Sequence, residues 1–170
     1  MASLIEDLIN TLEKENTEYT ELLNISKEKA TTIVNGDVER LQELLVLEQA
    51  SIDKLNELDE NRASDVQDIC RVLNLSPKDI KIDNIIQILE KKPEEHDALQ
   101  AVQSRLKRTL AQLMKLNENN KILLKESMDM IEFELNLAKN AIVAPQTANY
   151  GKGAYEQDTL SSVGRFDAKQ

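Results

Sequence analysis

The fold is decided by residues 93–143, PEEHDALQAVQSRLKRTLAQLMKLNENNKILLKESMDMIEFELNLAKNAIV. After Pro93 this stretch contains neither proline nor glycine, the two residues that most readily interrupt a helix. Its apolar residues recur every three or four positions, which is the spacing of one helix face. A single helix of this length, at about 1.5 Å per residue, reaches ~75 Å. The stretch therefore predicts one long α-helix, around which the rest of the chain is organised.

One face of this predicted helix is apolar along its whole length, and we call it the seam. On a wheel of about 100° per residue, it comprises the residues within about 40° of Leu124, namely Leu99, Val102, Leu106, Leu110, Leu113, Leu124, Met128, Ile131, Leu135, Ala138 and Ile142. We expect the seam to be buried as one continuous core. Asn117 and Asn120 also lie on it, where leucine or isoleucine is usual. A buried asparagine needs a polar partner and so usually fixes register, and we predict a register-setting role for both residues.

The second half of the helix carries a further apolar stripe on another face, which we call the second stripe. At about 180° to 260° on the same wheel, it consists of Leu123, Met130, Phe133, Leu137 and Ala141. A helix that is apolar on two faces needs two neighbours. Either another helix of the same protein covers the second stripe, or the stripe is kept for a partner, which bulky and adaptable side chains such as Met130 and Phe133 suit. The residues alone leave both interpretations open.

Two more long helices are predicted before this stretch, at about residues 2–34 and 37–74. Both keep the helical spacing of apolar residues, the second through Val38, Leu41, Leu44, Leu45, Ile52, Leu55, Leu58, Val66, Ile69 and Leu73. Asn35, Gly36 and Asp37 separate them. Gly36 suits the left-handed residue that follows a helix, and Asp37 is placed to cap the next one. Two long helices joined by so short a turn form an antiparallel hairpin.

A short connector and a tail complete the predicted organisation. Ser76 and Pro77 break the pattern, and Asp83 is a capping candidate for a short apolar helix at about 83–92. Residues 144–170 have no helical periodicity, and we expect a flexible tail. The predicted fold class is all-α: a long-helix up-and-down bundle over residues 1–143, built from an antiparallel hairpin, a connector helix and a long C-terminal helix at about 94–143.

Composition and charge exclude several classes of function. Aromatic residues make up only 3% of the chain, and tryptophan is absent, which favours long helices over a sheet-based fold. The net charge of −10 argues against nucleic acid and against an anionic membrane surface as partners. The start, MASLIEDLI, lacks the basic and apolar regions of a signal peptide, and no apolar run is long enough to insert into a membrane. We therefore expect a cytoplasmic protein.

Catalytic chemistry is not indicated. His96 is the single histidine and Cys70 the single cysteine, so neither a zinc site at a familiar spacing nor an internal disulfide can form. We expect Cys70 to be a buried, small apolar residue. The chain has no glycine-rich phosphate loop and no nucleophile elbow. We predict no catalytic residue, no metal and no cofactor, and hence not an enzyme.

The long helix and the tail together resemble a known family. Residues 116–124, LNENNKILL, followed by a proline at Pro145 and by Asn-Tyr-Gly at 149–151, resemble the FlgN family of flagellar export chaperones. The turn at 35–37 and the closing residues 165–169, RFDAK, are similar to that family as well. The resemblance covers the whole chain, but its motifs consist of leucines and asparagines rather than catalytic residues.

The resemblance implies a cytoplasmic chaperone of flagellar type III secretion. Such a chaperone holds hook-associated (hook-filament junction) proteins, prevents their premature association and brings them to the export gate. It further implies that cargo binds the C-terminal part of the long helix, and that a tail tyrosine followed by glycine docks on the cytoplasmic domain of the gate. The matching positions are residues 122–141, where the second stripe lies, and Tyr150 with Gly151.

Two other functions remain open from the sequence. The first is a structural coiled-coil module that self-associates through the second stripe and has no secretion client. The second is a regulatory helical adaptor unrelated to secretion. A chaperone of the implied kind is expected to be a monomer or a weak dimer when free, so its association state separates it from the coiled-coil module.

Overall fold

The computed structural model describes residues 2–76 and 80–143. These residues form helix α1 (Ala2–Asn35), helix α2 (Val38–Leu73), helix α3 (Ile82–Ile88), a 3₁₀ turn (Leu89–Lys91) and helix α4 (Pro93–Val143). No strand occurs in the two described ranges, and the predicted all-α fold is confirmed. The predicted tail, with Tyr150 and Gly151, lies outside the described residues. The chain divides into two units, Met1–Phe133 and Glu134–Gln170, so the end of α4 belongs to the second unit.

The turn between α1 and α2 has the predicted geometry. Gly36 has a φ of 68°, in the left-handed region where a side chain is strained. Its N–H donates to the Ile33 carbonyl oxygen at 3.1 Å, which closes the end of α1. The Asp37 carboxylate accepts from the Arg40 backbone N–H at 3.0 Å and so caps α2. The antiparallel hairpin of α1 and α2 follows from this turn.

The core of the first unit has two parts. At the end where α1 begins, a closed-end cluster joins α1, α2, α3, the 3₁₀ turn and α4 through Ile5, Leu8, Leu12, Ile69, Ile85, Ile86, Leu89, Leu99, Val102 and Leu106. Toward the Gly36 turn, a smaller open-end cluster joins only α1, α2 and α4 through Leu22, Leu23, Ile25, Leu44, Leu55 and Leu113. Cys70 is fully buried and free, as predicted. The connector therefore adds a fourth element to one end of the bundle only.

The connector helix is capped differently from the prediction. Lys81 precedes α3, and the Asn84 side-chain oxygen accepts from the Lys81 backbone N–H at 3.0 Å. Asp83 is therefore not the N-cap. Its carboxylate instead accepts from Gln103 Nε2 at 3.0 Å and from Lys107 Nζ at 3.0 Å. These bonds hold the pKa of Asp83 below its ordinary value and tie α3 to α4.

Helices α1 and α4 run in the same direction. Thr109 Oγ1 donates to Asn16 Oδ1 at 3.1 Å, and Asn120 Nδ2 donates to the Ser26 backbone oxygen at 2.7 Å. The two pairs are separated in sequence by 93 and 94 residues, so the register of α4 against α1 is nearly constant. At that offset the last residue of α1, Asn35, corresponds to residue 129 of α4. The first unit therefore contains α4 residues that lie past the end of the hairpin.

The prediction of one continuous buried seam is wrong. Its first half is in the core, but Leu124, Met128 and Ile131 of the first unit are exposed. In the second unit, Leu135, Ala138 and Ile142 are exposed as well. Within the first unit, the hairpin ends at Gly36, so Ile131 lies past the last α1 residue that α4 can pack against. Leu124 lies at the edge of an open groove.

Candidate partner-binding surface

The second stripe is largely exposed. In the first unit, Met130 is 64% and Phe133 is 63% exposed, while Leu123 is half-buried. In the second unit, Leu137 and Ala141 are exposed. No other helix in the described residues of the first unit covers Met130 or Phe133. Large apolar side chains that stay in water on one helix face are typical of a surface kept for another molecule.

Asn117 and Asn120 both contact the same residue of α1. Ser26 is fully buried, and its hydroxyl donates to Asn117 Oδ1. Asn120 is 5% exposed and donates to the Ser26 backbone oxygen, whereas Asn117 itself is exposed. Register-setting asparagines require contacts of this kind. The register role stays a prediction, and only Asn120 has the burial on which it was based.

An open groove lies beside these asparagines, within the first unit. It has a volume of about 370 Å³ and is lined by Lys29 and Ile33 of α1, Leu41, Leu45 and Glu48 of α2, and Asn117, Asn120, Lys121 and Leu124 of α4. Lys29 Nζ donates to both carboxylate oxygens of Glu48, at 2.9 and 2.8 Å, and both side chains are mostly buried. This ion pair links α1 to α2 along one wall of the groove.

Sequence reasoning did not find this groove. We expected Leu41, Leu44, Leu45 and Ile52 to share one core face, but Leu44 is buried while Leu45 and Ile52 are exposed. The signal was present in the run LLVL at residues 44–47, because four consecutive apolar residues cannot all face one core on a helix. Leu44 faces the open-end cluster, and Leu45, next along the chain, faces the groove.

The interface of α1 and α2 contains a buried acidic side chain. Glu15 is almost fully buried and lies 3.5 Å from Arg62, measured from Oε2 to Nη1. Burial raises the pKa of Glu15, the Arg62 charge lowers it and Asp59 raises it again, so the net pKa lies above the ordinary value. Thr11 Oγ1 donates to Asp65 at 2.7 Å nearby. These contacts form a polar layer between the two hairpin helices, remote along α1 from the groove.

Other site chemistries find little support in the structure. Over residues 2–76 and 80–143, no group of three or more His, Cys, Asp or Glu side chains is arranged to hold a metal ion. In the same residues, no helix has the length and apolar character that membrane spanning requires.

The family described as FlgN protein matches residues 1–157 of the chain. The chain belongs to the FlgN family. The matched residues include every helix that the structure describes, together with Tyr150 and Gly151, whereas residues 165–169 lie beyond the match. No curated protein and no solved structure was found to match. The family confirms the resemblance, and it gives this FlgN-family chain the role of a flagellar export chaperone.

Proposed function

We propose that this FlgN-family protein is a cytoplasmic chaperone of flagellar type III secretion that binds hook-associated proteins. It prevents their premature association and delivers them to the export gate. The observation that supports this most is the exposure of Met130 and Phe133 on α4. The opposite face of α4, the seam, is buried in the core in the N-terminal half of the helix. An amphipathic helix of the cargo covers the second stripe of Leu123, Met130, Phe133, Leu137 and Ala141, as partner helices do in other helix-groove complexes.

The second stripe offers enough apolar surface to matter for binding. Burying its four larger side chains, at ~1.5–3 kcal/mol each, contributes roughly 6–12 kcal/mol before the entropic cost of association is subtracted. Removing two of them, and placing a charge at each position, therefore lowers affinity by at least about 100-fold. Methionine adapts to cargo helices of different shape because its side chain is flexible, and phenylalanine contributes a large apolar surface.

Binding of a hook-associated protein to the double variant Met130→Asp, Phe133→Asp tests this function. We expect the variant to lose measurable cargo affinity in isothermal titration and to keep wild-type helicity in circular dichroism. The matched control is Met114→Asp, because Met114 is at least as exposed on α4 as Met130 and Phe133 but lies off both apolar faces. If the double variant unfolds, the second stripe is internal core; if it binds cargo normally, the cargo surface lies elsewhere.

The tail has a separate role in this proposal. Tyr150, followed by Gly151, docks on the cytoplasmic domain of the export gate. A tyrosine combines a large apolar ring with a polar tip and is enriched among binding hot spots. Glycine after it lets the partner approach the backbone closely. Since the cargo lies on α4, Tyr150→Ala should leave cargo affinity unchanged and weaken gate docking. The test is to titrate the gate domain with the wild type and with Tyr150→Ala, each in complex with cargo. If the two complexes bind the gate with equal affinity, Tyr150 has no part in docking.

The protein acts by binding alone. No reaction, metal or cofactor takes part, and neither nucleic acid nor membrane insertion is involved. The free chaperone is a monomer or a weak dimer, because the second stripe is reserved for cargo. The alternative function is a self-associating coiled-coil module without a client, in which the same exposed stripe joins copies of the chain. Sedimentation at increasing concentration separates the two, since the alternative requires a stable oligomer in the absence of cargo.

A further inference from the structure

A further groove of the first unit lies between α1 and α4, on the same face of α4 as the second stripe. We call it the lysine groove. It has a volume of about 380 Å³ and is lined by Leu23 and Lys27 of α1 and by Gln112, Lys115, Leu116 and Asn119 of α4. On the wheel used for the second stripe, its four α4 residues lie at about 180° to 280°. A helix that covers the second stripe and continues toward the start of α4 therefore enters the lysine groove.

The lysine groove has an apolar floor and a basic rim. Leu23 is buried and Leu116 is half-buried, whereas Lys27 and Lys115 are exposed. None of the described residues that line the groove is acidic. Within residues 2–76 and 80–143, no carboxylate forms an ion pair with either lysine. In a chain with a net charge of −10, this groove is thus a locally basic site that attracts a negatively charged partner.

Helix α1 lies beside the second stripe as well as beside the lysine groove. Val34 follows Lys27 by about two helical turns and so lies on the same face of α1. It is 67% exposed. The offset of 93 to 94 residues between α1 and α4 places it level with residues 127–128, between Leu123 and Met130 of the second stripe. From Lys115 to Met130, the face is ~22 Å long at about 1.5 Å per residue, which a helix of about four turns covers.

We propose that the cargo helix on the second stripe extends into the lysine groove, where Lys27 and Lys115 bind acidic side chains of that helix. This inference rests on the proposed function, and it adds which charge the cargo helix carries and at which end of the surface. Charge favours this occupant over the chain's own tail. Residues 144–170 contain three basic and three acidic side chains, so the tail has no excess of negative charge to offer the lysines.

Titration of the charge-reversal variant Lys27→Glu, Lys115→Glu with a hook-associated protein tests the inference. Both lysines are exposed, so the variant should melt at the wild-type temperature. We expect about a tenfold loss of affinity at low ionic strength, because two attractions become repulsions, and added salt should reduce the loss by screening. The matched control is Lys14→Glu, Lys91→Glu, which changes the net charge equally at two exposed lysines outside the lysine groove. It should bind as the wild type does.

Reciprocal substitutions in the cargo test the direct contact. Each acidic residue of the cargo helix is replaced by lysine in turn, and each cargo variant is titrated against the wild type and against Lys27→Glu, Lys115→Glu. We expect at least one position at which the new lysine weakens binding to the wild type severalfold and strengthens binding to the charge-reversal variant severalfold. Equal losses against both proteins at every position would overturn the inference.

Val34→Asp tests whether the cargo helix lies beside α1. Val34 is exposed near the end of α1, so the substitution places a charge next to the bound helix without opening the core. We expect about a tenfold loss of cargo affinity. The matched control is Val46→Asp, because Val46 is similarly exposed but lies on α2 and does not line the lysine groove. Equal cargo affinity of the two variants would overturn the placement of the helix between α1 and α4.

The outcomes separate this inference from the proposed function. If Met130→Asp, Phe133→Asp loses cargo affinity while Lys27→Glu, Lys115→Glu binds cargo as its control does, the inference is overturned and the function stands. If cargo does not bind the wild type, both fail. If the charge reversal disrupts a dimer of the cargo-free protein and leaves cargo affinity unchanged, a second copy of the chain occupies the lysine groove, and the inference is again overturned.

Discussion

The two ends of the first unit use the same three long helices and differ in one element. At the closed end, α3 and the 3₁₀ turn complete the packing, and the seam of α4 is buried at Leu99 and Val102. At the open end nothing in the described residues takes their place, and the same seam is exposed at Leu124 and Ile131. A continuous apolar pattern on a helix therefore does not establish a continuous core. The part of the seam that the described residues leave uncovered is exposed apolar surface.

The largest effect should come from matched leucine substitutions at the two ends. Leu99 is 0% exposed and Leu124 is 42% exposed, although both lie on the seam. We expect Leu99→Ala to lower the free energy of unfolding by about 2–5 kcal/mol, because it leaves a cavity in the closed-end cluster. Leu124→Ala should lower it by less than about 1 kcal/mol. Urea denaturation of the two variants measures this, and equal losses would abolish the distinction between the ends.

A smaller loss of stability is expected at the turn that ends the hairpin. Gly36 has a φ of 68°, and a Cβ added there meets no atom within 4 Å. The cost of Gly36→Ala is therefore conformational strain rather than a clash, about 1–2 kcal/mol. The same denaturation experiment applies, with Glu39→Ala, on the exposed first turn of α2, as the control. If Gly36→Ala has the same free energy of unfolding as the wild type, the turn adopts another geometry in solution.

The smallest effect concerns the polar layer between α1 and α2. The folded protein raises the pKa of Glu15 above its ordinary value of 4.5, mainly by burial, so the charged form of Glu15 opposes folding. At pH values above the raised pKa, Glu15 is charged and its cost to folding is fully present. As the pH falls through that pKa, Glu15 becomes protonated and the cost is relieved. We expect Glu15→Gln to be more stable than wild type at pH 7, with the difference shrinking toward pH 4.5. A destabilised Glu15→Gln at pH 7 would show that the Arg62 contact outweighs burial.

Much of the fold could be predicted from the sequence. The geometry of the Asn35-Gly36-Asp37 turn could be predicted from the types of its three residues. The long helices could be predicted from apolar residues that recur every three or four positions. Burial along α4 could not be predicted, because it depends on where α1 ends relative to α4, and periodicity contains no information about that register. The cap of α3 was also missed: Asp83 has the right residue type, but ion pairing with Lys107 holds it against α4.

The candidate site divides in the same way. The second stripe could be found from the positions of Met130 and Phe133 on a helical wheel. The groove could not, because Ile33, Leu41, Leu45 and Leu124 come from three helices and meet only after folding. Asn120 is held in the core by its hydrogen bond to the Ser26 backbone oxygen, a contact between α4 and α1 that no local pattern encodes.

The most direct test of the central claim uses the methionine methyl groups of α4 as reporters. Met130 lies on the second stripe, Met128 on the exposed seam and Met114 on neither, and all three are exposed in the free protein. Methyl-labelled protein is titrated with a hook-associated protein and followed by NMR. We expect the Met130 signal to shift or broaden with bound cargo while the Met114 signal stays unchanged. Cargo binding that leaves Met130 unchanged would contradict it.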